Sequence, residues 1–169
     1  IPEMIFGNLL TSSNYGQKGK FWGGKNGYGA KAANIFSKHF YVETVDGDTG
    51  KKYVQHFYNN MYKKDKPDIT DAKTTKPYTK ITFIPDYARF KLDGLTDDIV
   101  GLFRKRVYDL AAVDCKRVKV YLNDKLLEIE TFRDYMKLFY PADTTKMTCR
   151  EFNQFWKIGV VYTPDAGFS

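Results

Sequence analysis

The sequence of 169 residues is basic, with 27 Lys and Arg against 20 Asp and Glu for a net charge of +7, and 43% of it is hydrophobic. That suffices for one domain, or for one domain and part of another, with a sizeable core. No apolar run approaches the roughly 18 residues of a membrane span, and no secretory h-region opens the chain, so no membrane partner is expected; the basic surplus suits phosphate ligands or a polyanion.

The chain opens at Ile1-Pro2-Glu3 without an initiator Met and runs directly into an apolar pattern, which reads as a piece cut from a larger protein. In "PEMIFGNLL", Ile5, Leu9 and Leu10 follow a Pro suited to a first turn, and a short helix is expected. A polar, glycine-rich loop follows, ending in "GGKNGYG", and from Ala30 the residues Ala33, Ile35 and Phe36 predict a small amphipathic helix ending near Ser37. A loop of this length is commonly functional. "FYVETV" (40–45) and "KKYVQHFY" (51–58) are rich in β formers and flank the turn "DGDTG", which predicts an antiparallel hairpin. Residues 59–76 are lysine-rich with little apolar content and read as a mobile, solvated excursion rather than a DNA contact. "YTKITFIP" (78–85) reads as a third strand ended by Pro85.

A long helix is expected from Thr96 or Asp97, with Ile99, Leu102, Phe103, Leu110 and Val113 as its buried stripe and Arg104 and Arg106 on a solvated face. "RVKVYLNDKLLEIE" predicts a hairpin turning at Asn123-Asp124. "TFRDYMKLFY" predicts a helix capped by Thr131, with Phe132, Met136 and Phe139 on one face. The pattern changes at Pro141, and "EFNQFWKIGVVYTP" suits new strands, so domains 1–140 and 141–169 are expected. Hairpins without strict βαβ alternation imply a two-layer α+β sandwich. Cys115 and Cys149 form no CxxC, which makes free thiols the default, and His39 and His56 share no metal-like spacing.

Chemistry concentrates in "GGKNGYGAKAANIFS" (23–37), where glycines and lysines precede a helix start. Glycine permits close approach and positive φ, and a helix start offers unpaired N–H groups, so an anion is the expected guest. A P-loop is excluded: Gly24 and Gly29 are spaced correctly, but Ala30 precedes Lys31, and Ala32 stands where a hydroxyl would hold magnesium. A dinucleotide fingerprint on Gly27, Gly29 and Ala32 lacks the strand that must precede it, and Glu43 sits inside its strand rather than at its end.

What remains is a long lid ending in a Gly-x-Gly helix start. "IFGNLLTSSNY", "GGKNGYGAKAANIFS", "ITFIPD" and "RKRVYDLA", in that order, resemble the ATPase region of eukaryotic-type DNA topoisomerase II, within the ATPase family shared by gyrase, Hsp90, histidine kinases and MutL. The resemblance implies the two-layer α/β sandwich of that ATPase, its C-terminal part, running into the start of a transducer domain. It implies that Ser12, Ser13 and Asn14 contact sugar or phosphate, that Gly24 to Lys31 wrap the triphosphate of ATP, and that amides from Asn26 to Ala30 donate to its oxygens. It places charge from Lys31 near the phosphates and Thr82 near the adenine. Lys25 stands where relatives often carry Arg, which keeps the charge and loses the bidentate fork.

Tyr28 either covers the helix start or touches ligand, and Phe21 and Trp22 read as lid packing. The resemblance further implies that the general-base Glu and the Asn that holds Mg2+ lie upstream of this stretch. A lysine reaching the γ-phosphate would lie downstream. In the intact enzyme ATP would drive dimerisation and DNA strand passage, in the nucleus of a eukaryote or otherwise inside the cell. A different reading of the same residues is a basic nucleic-acid-binding module that clasps phosphates with the Gly/Lys loop.

Overall fold

The computed structural model describes residues 1–16, 18–19, 24–113, 117–140, 146–153 and 155–162. The expectations for Phe21, Trp22, Gly23, Cys115, Pro141 and the C-terminal Phe168-Ser169 lie outside them. The chain forms two compact units, Ile1–Gly94 and Leu95–Ser169, and the domain boundary expected after residue 140 falls inside the second.

In the first unit, helix α1 (Pro2–Gly7) has Pro in its first turn, as its fixed φ favours. Helix α2 (Tyr28–Ile35) starts two residues earlier than the apolar spacing suggests. Strands β1 (Ser37–Val45) and β2 (Lys51–Tyr58) form the expected antiparallel hairpin around the turn at Asp46–Gly50. The lysine-rich stretch is more ordered than its composition suggests. It supplies two short strands, β3 (Lys63–Lys64) and β4 (Asp68–Asp71), both pairing with the outer edge of β2. Backbone pairing needs no apolar side chains, and Lys51 bonds to Asp71 at 2.8 Å across that edge. Strand β5 (Tyr78–Pro85) pairs with the other edge of β1, which makes β1 central.

Alternation along β1 decides which face is covered. Phe40 and Val42 are buried with Tyr53 and Phe57 of β2, and Phe6 of α1 and Ala33 of α2 pack against them. Fully burying each such side chain stabilises by about 1.5–3 kcal/mol. The opposite face carries a polar cluster. Glu43 accepts hydrogen bonds from the hydroxyls of Tyr41 and Tyr78 and pairs with Lys52 at 3.3 Å. His39 Nε2 and His56 Nδ1 lie 2.9 Å apart, with the rings within 9° of parallel. Sequence spacing gave no hint of that pair, which strand register creates.

In the second unit, α3 (Asp97–Val113) begins where acids mark its first turn, and the Thr96 hydroxyl accepts from Ile99 N at 3.3 Å. Its expected buried stripe is not buried. Leu102, Phe103, Leu110 and Val113 are each at least half exposed, and Ala111 and Ala112 are the buried residues. Periodicity identifies an apolar face and not what covers it; here the Tyr135 hydroxyl meets α3 by donating to Asp109 Oδ1 at 2.5 Å. Strands β6 (Tyr121–Leu122) and β7 (Lys125–Leu126) turn at Asn123-Asp124, both at positive φ as a tight hairpin demands. Helix α4 (Phe132–Lys137) has the full capping box: Thr131 accepts from Asp134 N while Asp134 accepts from Thr131 N. Strands β8 (Lys146–Asn153) and β9 (Trp156–Tyr162) form a hairpin, and Cys149 is a free thiol. Arg106 pairs with Asp109 on an exposed helix face, as expected. No helix among the described residues is long and apolar enough to cross a membrane.

The Tyr41 hydroxyl, then that of Tyr78, holds the Glu43 carboxyl down from its ordinary 4.5 to about 2, against a smaller opposing effect of burial. The folded state therefore binds the Glu43 proton more weakly than the unfolded chain does. The stabilisation is fully present above about pH 4.5 and is lost as the pH falls towards 2. Urea midpoints measured across this window should fall more steeply for the native chain than for Glu43→Gln. Equal slopes would show that the cluster makes no such contribution.

Candidate functional site

The segment from Thr11 to Tyr15 and the loop from Gly24 to Gly27 lie side by side, joined by hydrogen bonds that run to carbonyl groups. Asn14 Nδ2 donates to Gly24 O at 2.6 Å, Ser12 Oγ to Lys25 O at 2.8 Å, and Tyr15 OH to Asn26 O at 3.2 Å. Asn14 N in turn donates to Ser12 Oγ at 3.1 Å, so that hydroxyl is used both as donor and as acceptor. A planar trans peptide points its N–H opposite to its C=O. Fixing the carbonyls of 24, 25 and 26 towards this shelf therefore aims the N–H groups of Lys25, Asn26 and Gly27 away from it.

Gly27 completes the turn and caps α2 with φ 66° and ψ 23°, a left-handed conformation that favours glycine. A Cβ there would collide with the Thr11 carbonyl oxygen and lie 3.1 Å from Lys31 Nζ. Directly after it, α2 presents its first N–H groups, which have no partner within the helix. Together these amides form a set of backbone donors of the kind that suits an anion.

Lys31 and Asn34 follow on the buried side of α2, at 2% and 1% exposure. Lys31 Nζ donates to Thr11 O at 2.8 Å, and among the described residues it has no carboxylate partner. Asn34 Nδ2 donates to Phe6 O at 3.0 Å, while its Oδ1 is buried without a partner. Beside the shelf an open cleft of ≈ 480 Å³ is lined by Met4 and Ile5 of α1 and by Leu10, Thr11, Ser12 and Ser13.

Of the expected site residues, Ser12, Ser13, Asn14, Gly24, Lys25, Asn26, Gly27, Tyr28, Gly29, Ala30 and Lys31 are therefore gathered on one side of the first unit. Ser12 and Asn14 hold the loop by its carbonyls, as does Tyr15, a residue that the sequence reading passed over. Lys25 and Tyr28 are exposed. Gly29 lies within the helix, and a Cβ there meets no protein atom within 4 Å, so the fold itself demands glycine at Gly27 and not at Gly29.

Thr82 stands apart. It pairs with Tyr41, on the sheet face opposite the one that α1 and α2 cover. The β5 residues on the helix-bearing face are Thr79, Ile81 and Phe83, which pair with Thr44, Val42 and Phe40. Thr79 Oγ1 lies 2.8 Å from Thr44 Oγ1, and Ile81 and Phe83 are partly open to solvent. No group of three or more His, Cys, Asp or Glu that could hold a metal occurs among the described residues.

These features predict opposite outcomes for two glycines. Gly27→Ala should destabilise the first unit by at least the ~1–2 kcal/mol of a left-handed L-residue, because it also collides with Thr11. Gly29→Ala should be neutral or stabilising by up to about 1 kcal/mol, as for Gly to Ala within a helix. Chemical denaturation of both variants checks this, and equal losses would show that the turn is not where the constraint lies.

No family model matches the sequence. Comparison with individual proteins gives a consistent result. The chain is 48% identical over 167 residues to DNA topoisomerase 2 of Acanthamoeba polyphaga mimivirus, an alignment covering 97% of this chain and 13% of that protein. The fold matches the crystal structure of the ATPase region of Saccharomyces cerevisiae topoisomerase II with a TM-score of 0.87 and 45% identity, over 94% of this chain and 42% of that one. It matches the ATPase and transducer domains of DNA topoisomerase II from Balamuthia mandrillaris with a TM-score of 0.86 and 42% identity, over 98% of this chain and 42% of that one. The chain thus spans a small part of the length of the curated relatives it matches.

Proposed function

The chain belongs to the DNA topoisomerase 2 family, within the ATPase region, and from that premise we propose that its first unit binds the phosphates and sugar of ATP. The observation that carries this reading is the tying back of three successive carbonyls at Gly24, Lys25 and Asn26. Tying them back costs three side chains their freedom, and it makes sense where the opposed N–H groups are needed for an anion. The donor set suits a polyphosphate: amides from Lys25 to Ala30 at a helix start, with the buried Lys31 ammonium beside them and, among the described residues, no carboxylate neutralising it. The amides are fixed before the ligand arrives, so binding loses little to reorganisation.

The nucleoside would then lie on the sheet face that α1 and α2 share. The open strand surface on that face is that of Thr79, Ile81 and Phe83 rather than Thr82, while Ser12 and Ser13 border the cleft beside α1. Triphosphate chemistry supplies the free energy when ATP is bound and hydrolysed. This chain's residues bind and orient it, and none of them is proposed as the general base. Mg2+ would accompany the triphosphate; the described residues offer it no ligand cluster, so no magnesium ligand is assigned to this chain.

In the protein that carries this stretch, ATP binding and hydrolysis would close two protomers on each other and drive passage of DNA, changing its topology inside the cell, or in the nucleus of a eukaryote. Residues from 141 onward would begin the transducer that relays nucleotide state. No observation favours the alternative of a basic nucleic-acid module.

Amide hydrogen exchange tests the reading directly. A non-hydrolysable ATP analogue should slow exchange at Lys25 to Ala30 at least tenfold, and duplex DNA at physiological salt should leave those amides unchanged. Protection by DNA alone, weakening steeply with salt, would overturn the proposal in favour of the nucleic-acid module.

A further inference from the structure

We propose that Lys31 is a positioning residue, whose ammonium fixes the shelf of the site by its backbone and thereby supports the nucleoside as well as the phosphates. This inference rests on the nucleotide reading of the site and assigns Lys31 a role within it that charge alone does not suggest.

Burial is the first observation. A lysine at 2% exposure loses most of the water around its ammonium, and its position must be held by a strong partner. The partner is the Thr11 carbonyl, 2.8 Å away, in a charge-assisted hydrogen bond of the stronger kind. Thr11 is itself the junction between α1 and the shelf. Its hydroxyl, with one proton, lies within hydrogen-bond reach of both Met4 O at 2.8 Å and Asn8 O at 3.0 Å, while its carbonyl accepts from Lys31 Nζ. One residue thus ties the end of α1 to α2, and Lys31 makes the cross-link.

Close packing around the bond is the second observation. Gly27 lies against both partners, so a Cβ there would meet Thr11 O and Lys31 Nζ together. The turn that aims the amides and the cross-link that fixes the shelf are therefore one packed unit. Thr11 and Ser12 also form part of the wall of the ≈ 480 Å³ cleft beside α1. Loosening the cross-link should move that wall and disturb any ligand in the cleft, whether or not it carries phosphate.

A lysine acting as a plain phosphate contact makes a different prediction, because its removal should cost more with each added phosphate and nothing for the nucleoside. The test uses the protein as its gene encodes it and compares the affinities of adenosine, AMP and a non-hydrolysable ATP analogue by calorimetry or NMR titration. Lys31→Met keeps the apolar stem and removes the donor. It should weaken adenosine by about tenfold, the range expected for one charge-assisted hydrogen bond, and AMP and the ATP analogue by at least as much.

Gly27→Ala leaves the lysine in place but displaces Thr11 O, so it should also weaken adenosine. Combining it with Lys31→Met should add little to the loss for adenosine. This second variant keeps the test decisive should Lys31→Met fail to fold. A loss confined to ligands with phosphate, growing from AMP to ATP, would overturn the positioning role while leaving the nucleotide site standing. Unchanged affinities in either variant would overturn it too. If the native protein binds none of the three ligands, the nucleotide reading itself fails and this inference falls with it.

Discussion

The left-handed turn at Gly27 is the constraint on which the rest of the site depends. It sets the direction in which α2 leaves the loop, and so determines which residues of α2 face inward. With that direction fixed, Lys31 and Asn34 fall on the buried side and reach Thr11 and Phe6, the backbone of the segment before the loop. An L-residue at the same dihedral angles would be strained and would also strike the Thr11 carbonyl. Local backbone geometry and long-range packing therefore make the same demand at one position. Nothing of the kind applies at Gly29, although the sequence presents the two glycines as a pair.

From that turn the electrostatics of the loop follow. Backbone amides and carbonyls come in fixed opposition, so a loop can expose several amides on one side only if the matching carbonyls find partners on the other. Here Ser12, Asn14 and Tyr15 supply them, and each donates from a side chain short enough or rigid enough to act at little entropic cost. Under the proposed reading, these polar residues would matter to an anion even without touching it. The two lysines of the motif divide in the same way. Lys25 is exposed and available to a mobile ligand, whereas Lys31 is buried and committed to the backbone. Composition counts both as +1, and only burial separates their roles.

Much of this was legible in the sequence wherever a local rule governed it. The alternation of β1, β2 and β5, the turn at Asn123-Asp124 and the capping box at Thr131 each follow from residues within a few positions of one another. Features that depend on a partner far along the chain were not legible. β3 and β4 exist because β2 offers an unpaired edge, and the exposed stripe on α3 shows that an apolar face is not evidence of a cover. His39 and His56 meet only through strand register. The glycines and motif order mark the loop as the expected place of chemistry. The hydrogen bonds that hold it were not legible, because bonds from side chain to carbonyl leave no periodic trace.

Thr82 shows the same limit on a single strand. Period-two alternation states that Thr79 and Thr82 face opposite ways, since they are three positions apart, but not which way the helices lie. That is decided by Phe40 and Val42, whose burial draws α1 and α2 onto one face and carries Thr79, Ile81 and Phe83 round with them. The consequence is an amphipathic arrangement beside the loop. Amides and the Lys31 ammonium lie at the start of α2, and partly open apolar side chains lie along β5 on the same face. A ligand that is charged at one end and flat and apolar at the other matches both parts at once. A duplex backbone would satisfy the amides and leave the strand uncovered. The face chosen by the core thus bears on the proposed nucleotide reading in a way that the charge of the loop alone does not.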